Sequence, residues 1–118
     1  MPRAARLFVY GTLLDDDRLQ AVVGRRLPRR TARLARHRRI WPAGEYPYLV
    51  PDPTASVEGV LIEGLDVRTL AALDAYEAVG HLYVRERVVV TCDGTRVRCW
   101  VYRALGAPGG RPHPASDG

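Results

Sequence analysis

The chain has 118 residues, 47% of them apolar and 26% charged, with a formal charge of +5. That length supports one domain with its own core, and the composition excludes a fibrous, collagenous or wholly disordered chain. No stretch reaches the ~20 apolar residues of a spanning helix, and no apolar segment of signal-peptide length follows Arg3 and Arg6. The expectation is a cytoplasmic protein without a membrane partner.

Leu7-Phe8-Val9-Tyr10 is a short apolar run ending at Gly11, which reads as a buried strand meeting a tight loop. Asp15-Asp16-Asp17 follows, then Leu19, Val22 and Val23, closed by Gly24. Acids first, apolar spacing next and glycine last describe a short helix. After a polar connection over 25–30, Thr31 to Trp41 is a candidate strand with one very basic face, broken by Pro42-Ala43-Gly44. Tyr46 to Val50 is extended and bounded by Pro47, Pro51 and Pro53, which places it at a sheet edge. Val57 to Ile62 is a further strand, and Gly59 inside it predicts a bulge or a close backbone approach. Asp66 caps a helix running from Val67 to Tyr76 or Glu77. Leu82 to Thr91 and Arg96 to Tyr102 form a hairpin across Asp93-Gly94. The count is about six strands and two short helices, an α+β domain around a curled, partly closed sheet. The domain is expected over residues 1–105, with 106–118 a mobile tail rich in Gly and Pro.

All eighteen basic residues are arginine, and eight of them fall between Arg25 and Arg39. Phosphate-binding surfaces usually draw on Lys as well, so the cluster reads as a solvated face and the all-Arg usage as the mark of a GC-rich genome. The competing reading is a nucleic-acid-binding barrel, against which stands the scarcity of interleaved aromatics, Trp41 excepted. If Asp93-Gly94 is a two-residue turn, Cys92 pairs with Thr95 and Val88 with Cys99, which keeps the two thiols too far apart for a disulfide. Neither cysteine has a neighbouring ligand pair for zinc. His37, His81 and His113 lie in or beside polar or breaker-rich segments and read as structural or incidental.

Two features carry chemistry. Leu70, Leu73 and Glu77 fall within about 60° on a helix, with Asp74 close beside them. The stripe that buries leucines therefore also carries a carboxylate. Burial raises a Glu pKa towards neutrality, as a general acid or base near pH 7 requires. Against this, Glu77 could swing to solvent or pair with Arg85 or Arg87, and Asp74 could bond a backbone amide or a nearby Arg. The second feature is Gly11-Thr12-Leu13, between a buried strand and an acidic helix start, where backbone N–H groups could form an anion nest.

In order and spacing over residues 6–103, the chain resembles the gamma-glutamylcyclotransferase-like family, including its gamma-glutamylamine cyclotransferase branch. The segments that carry the resemblance are Tyr10-Gly11-Thr12-Leu13, Gly44-Glu45-Tyr46-Pro47-Tyr48-Leu49-Val50 and Val57-Glu58-Gly59-Val60-Leu61. They continue with Leu73-Asp74-Ala75-Tyr76-Glu77, then Tyr83 with Arg85, then Trp100-Val101-Tyr102. Here Ala78-Val79 precede Gly80, where the family often has glycine directly after the glutamate. The resemblance implies a small mixed β-barrel with short flanking helices. It implies Glu77 as catalytic acid/base and Tyr10, Gly11, Thr12 and Leu13 as the substrate-binding loop, with Tyr83 a wall residue. The implied reaction releases an amine from a γ-glutamyl amide as the glutamyl part closes to 5-oxoproline, with no metal or organic cofactor. The amine could belong to an α-amino acid, a lysine side chain or a biosynthetic intermediate. A catalytically silent interaction module on the same scaffold is the further alternative.

Overall fold

Leu7 and Phe8 are fully buried and Val9 nearly so. Successive strand residues point to opposite faces, so this run needs cover on both sides. In the computed structural model, which describes residues 4–43, 47–77, 80 and 82–105, that cover comes from a barrel on one side and helices on the other. The elements are β1 (Ala5–Val9), a 3-10 turn (Thr12–Leu14), α1 (Asp16–Val23), β2 (Arg29–Ile40) and β3 (Tyr48–Leu65), then α2 (Val67–Tyr76), β4 (Tyr83–Cys92) and β5 (Thr95–Ala104). The five strands close in the order β1-β3-β2-β4-β5. Closure comes from a parallel pairing of β1 with β5, Leu7 opposite Trp100 and Phe8 opposite Val101. Phe8 and Tyr10 fill the barrel with Leu34, Leu61, Val90 and Val101. Leu7 and Val9 turn outward and pack with Leu19 of α1, Leu73 of α2, and Tyr83 and Tyr102.

Local chemistry explains the ends of the elements. Asp15 caps α1 by accepting from the N–H groups of Asp17 at 3.0 Å and Arg18 at 3.4 Å, and Gly24 closes the helix at φ 81°. Asp66 caps α2 through the Thr69 N–H at 2.8 Å. Asp93 and Gly94 both take positive φ, 53° and 77°, as a two-residue hairpin turn demands. The resulting register puts Cys92 opposite Thr95 and Val88 opposite Cys99, as the turn predicts. Both thiols are free and buried, and burial pushes that of Cys99 up to about 12.

The strand count is lower than the sequence suggests. The two strands expected at 46–50 and 57–62 are one, Tyr48–Leu65, and five strands replace the expected six. The ladder to β2 is interrupted where the prolines lie. Ala35 pairs with Ser56 and His37 with Pro51, two steps along β2 against five along β3. Asp52 closes the excess by accepting from the Thr54 N–H at 3.0 Å and Oγ1 at 2.9 Å. The prolines mark a local break in the pairing, which resumes on either side of it. Gly59 is a close approach and not a bulge, since it pairs regularly with Ala32. A Cβ there would stand 2.4 Å from the Val9 carbonyl oxygen and 2.7 Å from Phe8 Cζ.

The basic segment is largely neutralised. Among the described residues, Arg26 and Arg29 meet Asp16, Arg30 meets Glu63 and Asp93, and Arg33 meets Glu58. Arg25 reaches Asp66 at 3.8 Å and Arg38 reaches Asp52 at 3.3 Å. Exposed pairs of this kind add little stability, but they set a carboxylate beside six of the eight arginines between Arg25 and Arg39. No helix among the described residues is long and apolar enough to cross a membrane. Residues 106–118, expected as the tail, and His81 and His113 lie outside the described residues.

Candidate active site

β1 and β5 are the parallel pair, and a cavity opens at their C-terminal ends. It is lined by Phe8, Val9, Tyr10, Gly11, Thr12, Leu13, Pro47, Glu77, Tyr83 and Tyr102, with about 320 Å³ of empty space including its open mouth. Every site residue expected from the sequence is on this wall: Glu77, the Tyr10-Gly11-Thr12-Leu13 loop and Tyr83.

The loop is shaped from within. Beyond Tyr10 the chain leaves the barrel wall, and the Leu14 N–H returns to the Gly11 carbonyl at 3.0 Å and that of Asp15 to Thr12 at 3.3 Å. The resulting 3-10 turn leaves its first N–H groups without intrahelical acceptors. Among the described residues no acceptor engages the N–H of Gly11, Thr12 or Leu13. Gly11 is glycine because of Pro47: an added Cβ would lie 2.5 Å from Pro47 Cγ. The space beside the Gly11 Cα is thus taken by a proline. That proline is tethered in turn, since the Tyr83 hydroxyl donates to its carbonyl at 2.8 Å.

Glu77 occupies the C-cap of α2, where its N–H donates to the Leu73 carbonyl at 2.9 Å. Leu73 is fully buried beneath it, so the helix stripe carries the carboxyl to the cavity wall. Burial alone pushes that carboxyl up to about 7. The arginine that could have quenched it is engaged elsewhere. Arg85 grips Asp74 with Nε to Oδ1 at 3.0 Å and Nη2 to Oδ2 at 3.2 Å, and Arg87 lies with Arg85 over the Trp100 ring. No cation pairs with Glu77 among the described residues.

Three phenols complete the wall, each with its proton committed to the protein. Tyr10 donates to the Tyr102 carbonyl, Tyr83 to Pro47, and Tyr102 to Asp74 Oδ1 at 2.7 Å. Burial, followed by electrostatic coupling to Tyr83 and Glu77, holds the Tyr10 hydroxyl above its ordinary range. Burial also raises that of Tyr102, reinforced by its bond to Asp74. Both remain neutral beside the carboxyl. Sequence reasoning had not assigned Tyr102 and Pro47 to the site. Tyr102 shows itself only through the closing strand's register, which sets it opposite Arg85 and within reach of Asp74. Among the described residues, no group of three or more His, Cys, Asp or Glu side chains could hold a metal ion.

A five-strand closed barrel with two short helices is the architecture of gamma-glutamyl cyclotransferase-like proteins. The chain matches the gamma-glutamyl cyclotransferase, AIG2-like family over residues 7–117, and belongs to it. An Arabidopsis thaliana protein solved in solution superposes with a TM-score of 0.79 at 25% identity, over 91% of this chain and 74% of that one. An AIG2-like protein from Mus musculus gives 0.69 at 24% identity, over 91% and 82%. A yeast γ-glutamyl cyclotransferase specific to glutathione gives 0.68 at 15% identity, over 89% and 70%. These likenesses are ones of fold. No curated protein sequence matches the chain.

Proposed function

We propose that this protein releases an amine from a γ-glutamyl amide by cyclisation to 5-oxoproline, with Glu77 as general base and then general acid. One observation carries the reading: a carboxyl pushed up to about 7 by burial shares a cavity with the strand-end loop. Family membership supplies the reaction class.

The substrate brings its own nucleophile. Its α-amine attacks the γ-carbonyl carbon, a C–N bond forms, and Glu77 takes the proton the nitrogen sheds. The tetrahedral intermediate then collapses. Glu77 returns the proton to the departing nitrogen, the original amide C–N bond breaks, and the amine leaves neutral. No water is consumed, and no external oxidant or cofactor is needed for balance. Such proton transfers contribute ~10²–10⁴-fold, and holding amine and carbonyl in a ring-closing conformer can add effective molarities of ~10⁵ M or more. The Gly11, Thr12 and Leu13 N–H groups are the donors available for the substrate carboxylate or the developing oxyanion. Tyr83 and Tyr10 serve as walls.

The test is a panel of γ-glutamyl amides incubated with the protein, with 5-oxoproline read by mass spectrometry. Release that disappears in Glu77→Gln supports the reading. No 5-oxoproline from any amide would leave the scaffold as a silent interaction module.

A further inference from the structure

The arginine-dense segment over 25–39 is mostly paired with acids, but a second group of arginines is not. It lies on the β4–β5 hairpin, where the sequence shows no basic run. Val88, Val90, Cys99 and Val101 pack inside the barrel, so alternation turns the residues between them outward. On that outer face Arg87 stands opposite Trp100, Val89 opposite Arg98 and Thr91 opposite Arg96. Among the described residues, no carboxylate lies within ion-pair distance of Arg87, Arg96 or Arg98, and all three are exposed.

The acids nearby are committed elsewhere. Odd positions 85–91 and even positions 96–102, which form this face, include no Asp or Glu. Glu86 is on the opposite face and accepts from Arg103 Nε at 3.0 Å. Asp93 at the turn meets Arg30, and Asp74 holds Arg85. On one flank β1 turns Leu7 and Val9 outward; on the other, Arg33 of β2 is matched by Glu58. Three cations therefore share one face with nothing to cancel them.

Their spacing selects a chain of charges over a single small anion. Arg96 and Arg98 are two residues apart on β5, about 7 Å. Arg98 is the diagonal neighbour of Arg87, again about 7–8 Å. That row suits an extended backbone with one negative charge per unit. Guanidiniums pair with phosphates through their fork and stack on bases through their plane. Val89, exposed in their midst, offers a base an apolar contact. It is the one exposed large hydrophobic residue of β4 and β5 among the described residues, too little for insertion into a lipid surface. The face is a barrel wall without a helix to enter a duplex groove.

We propose that the outer face of the β4–β5 hairpin binds single-stranded nucleic acid, with Arg87, Arg96 and Arg98 on successive phosphates and Val89 against a base. None of these residues lines the cavity, so the inference is independent of the cyclotransferase reading.

The test titrates the protein into a fluorescein-labelled thymidine oligonucleotide of about 12 nucleotides, within the usual site size, and reads anisotropy. The wild type should bind at low salt, with log Kd rising against log salt at a slope of about 2, as three phosphate contacts on a single strand require. Arg87→Gln, Arg96→Gln and Arg98→Gln should each weaken binding about two- to fivefold, and the triple variant should flatten the slope to near zero. Arg26→Gln removes the same charge from a residue paired with Asp16 and should leave the affinity unchanged. Circular dichroism checks the triple variant; if it does not fold, the three single substitutions decide. No binding at low salt, or variants on the face that bind like the wild type, overturns the proposal. Equal weakening by Arg26→Gln also overturns it, by reducing the attraction to net charge. Tighter binding of a duplex of the same length assigns the face to duplex, and displacement by polyglutamate at equal charge assigns it to an acidic protein segment; either result rejects the single strand.

Discussion

Arg85 lays its guanidinium across the carboxylate of Asp74, at 3.0 and 3.2 Å, and is thereby held away from Glu77 less than one turn further along α2. Two acids on one helix end, with one nearby arginine, have been given opposite environments. Asp74 is ion-paired and accepts from Tyr102, while Glu77 faces a cavity with its carboxyl pushed up to about 7. Such separation of neighbouring carboxyls is how a fold assigns one to structure and the other to proton transfer.

Replacing Glu77 by Gln preserves shape and removes the base. Turnover of γ-glutamyl amides should fall by ~10²–10⁴-fold, with the circular dichroism spectrum unchanged. Turnover within a few-fold of wild type would falsify the acid–base assignment.

The active form of the base is the carboxylate, so kcat/KM should rise with pH and level off above about 7. Stability should move the other way. A carboxyl whose folded pKa lies above its ordinary 4.5 binds its proton more tightly when folded. Its contribution is full below 4.5 and is lost as the pH climbs through about 7. Glu77→Gln should therefore stabilise the protein at pH 8, by about 3 kcal/mol, and change little at pH 4. Urea denaturation at both pH values reads this directly; a variant equally stable or less stable at pH 8 contradicts it.

Gly11→Val sets a branched side chain where Pro47 Cγ stands 2.5 Å from even a Cβ. Pro47 must yield, disturbing its bond from Tyr83 and the loop beside Glu77. Misplacement of this kind can cost on the order of 100-fold in kcat/KM. Steady-state kinetics within twofold of wild type would remove the loop from the site.

Gly59→Ala tests the barrel and not the chemistry. The new methyl would meet the Val9 carbonyl oxygen at 2.4 Å, a backbone atom in the wall of a closed sheet, and Phe8 Cζ at 2.7 Å. Overpacking here should destabilise by about 3 kcal/mol, read as a lower denaturation midpoint. An unchanged midpoint would mean that β1 and β3 separate more easily than their pairing suggests.

For the Asp74–Arg85 pair, a double-mutant cycle with Asp74→Asn and Arg85→Leu should return a coupling of about 1–2 kcal/mol. The pair is bidentate and three-quarters covered, with side-chain exposures of 26% and 25%. A coupling near zero would reduce it to an ordinary surface contact.

What could be read from the chain was local. The stripe of Leu70, Leu73 and Glu77, the acidic start of the first helix, the cap at Asp66, and the Asp93-Gly94 turn rest on periodicities and dihedral preferences spanning a few residues. The same holds for the register that keeps Cys92 and Cys99 apart. The family resemblance named Glu77, Tyr10 to Leu13 and Tyr83 together, and one cavity wall holds them all. Other features depended on residues distant in sequence. The parallel closure of β1 on β5 joins the two ends of the barrel, and no neighbouring residue announces it. Only that closure brings Tyr102 beside the first strand's turn. The proline-interrupted β3 remains one strand because β2 pairs with it on both sides of the break. Gly11 answers to Pro47, and Arg85 chooses Asp74 over Glu77, because packing brings those side chains together. Sequence periodicity specifies which face of an element is buried; what it is buried against depends on how the sheet closes.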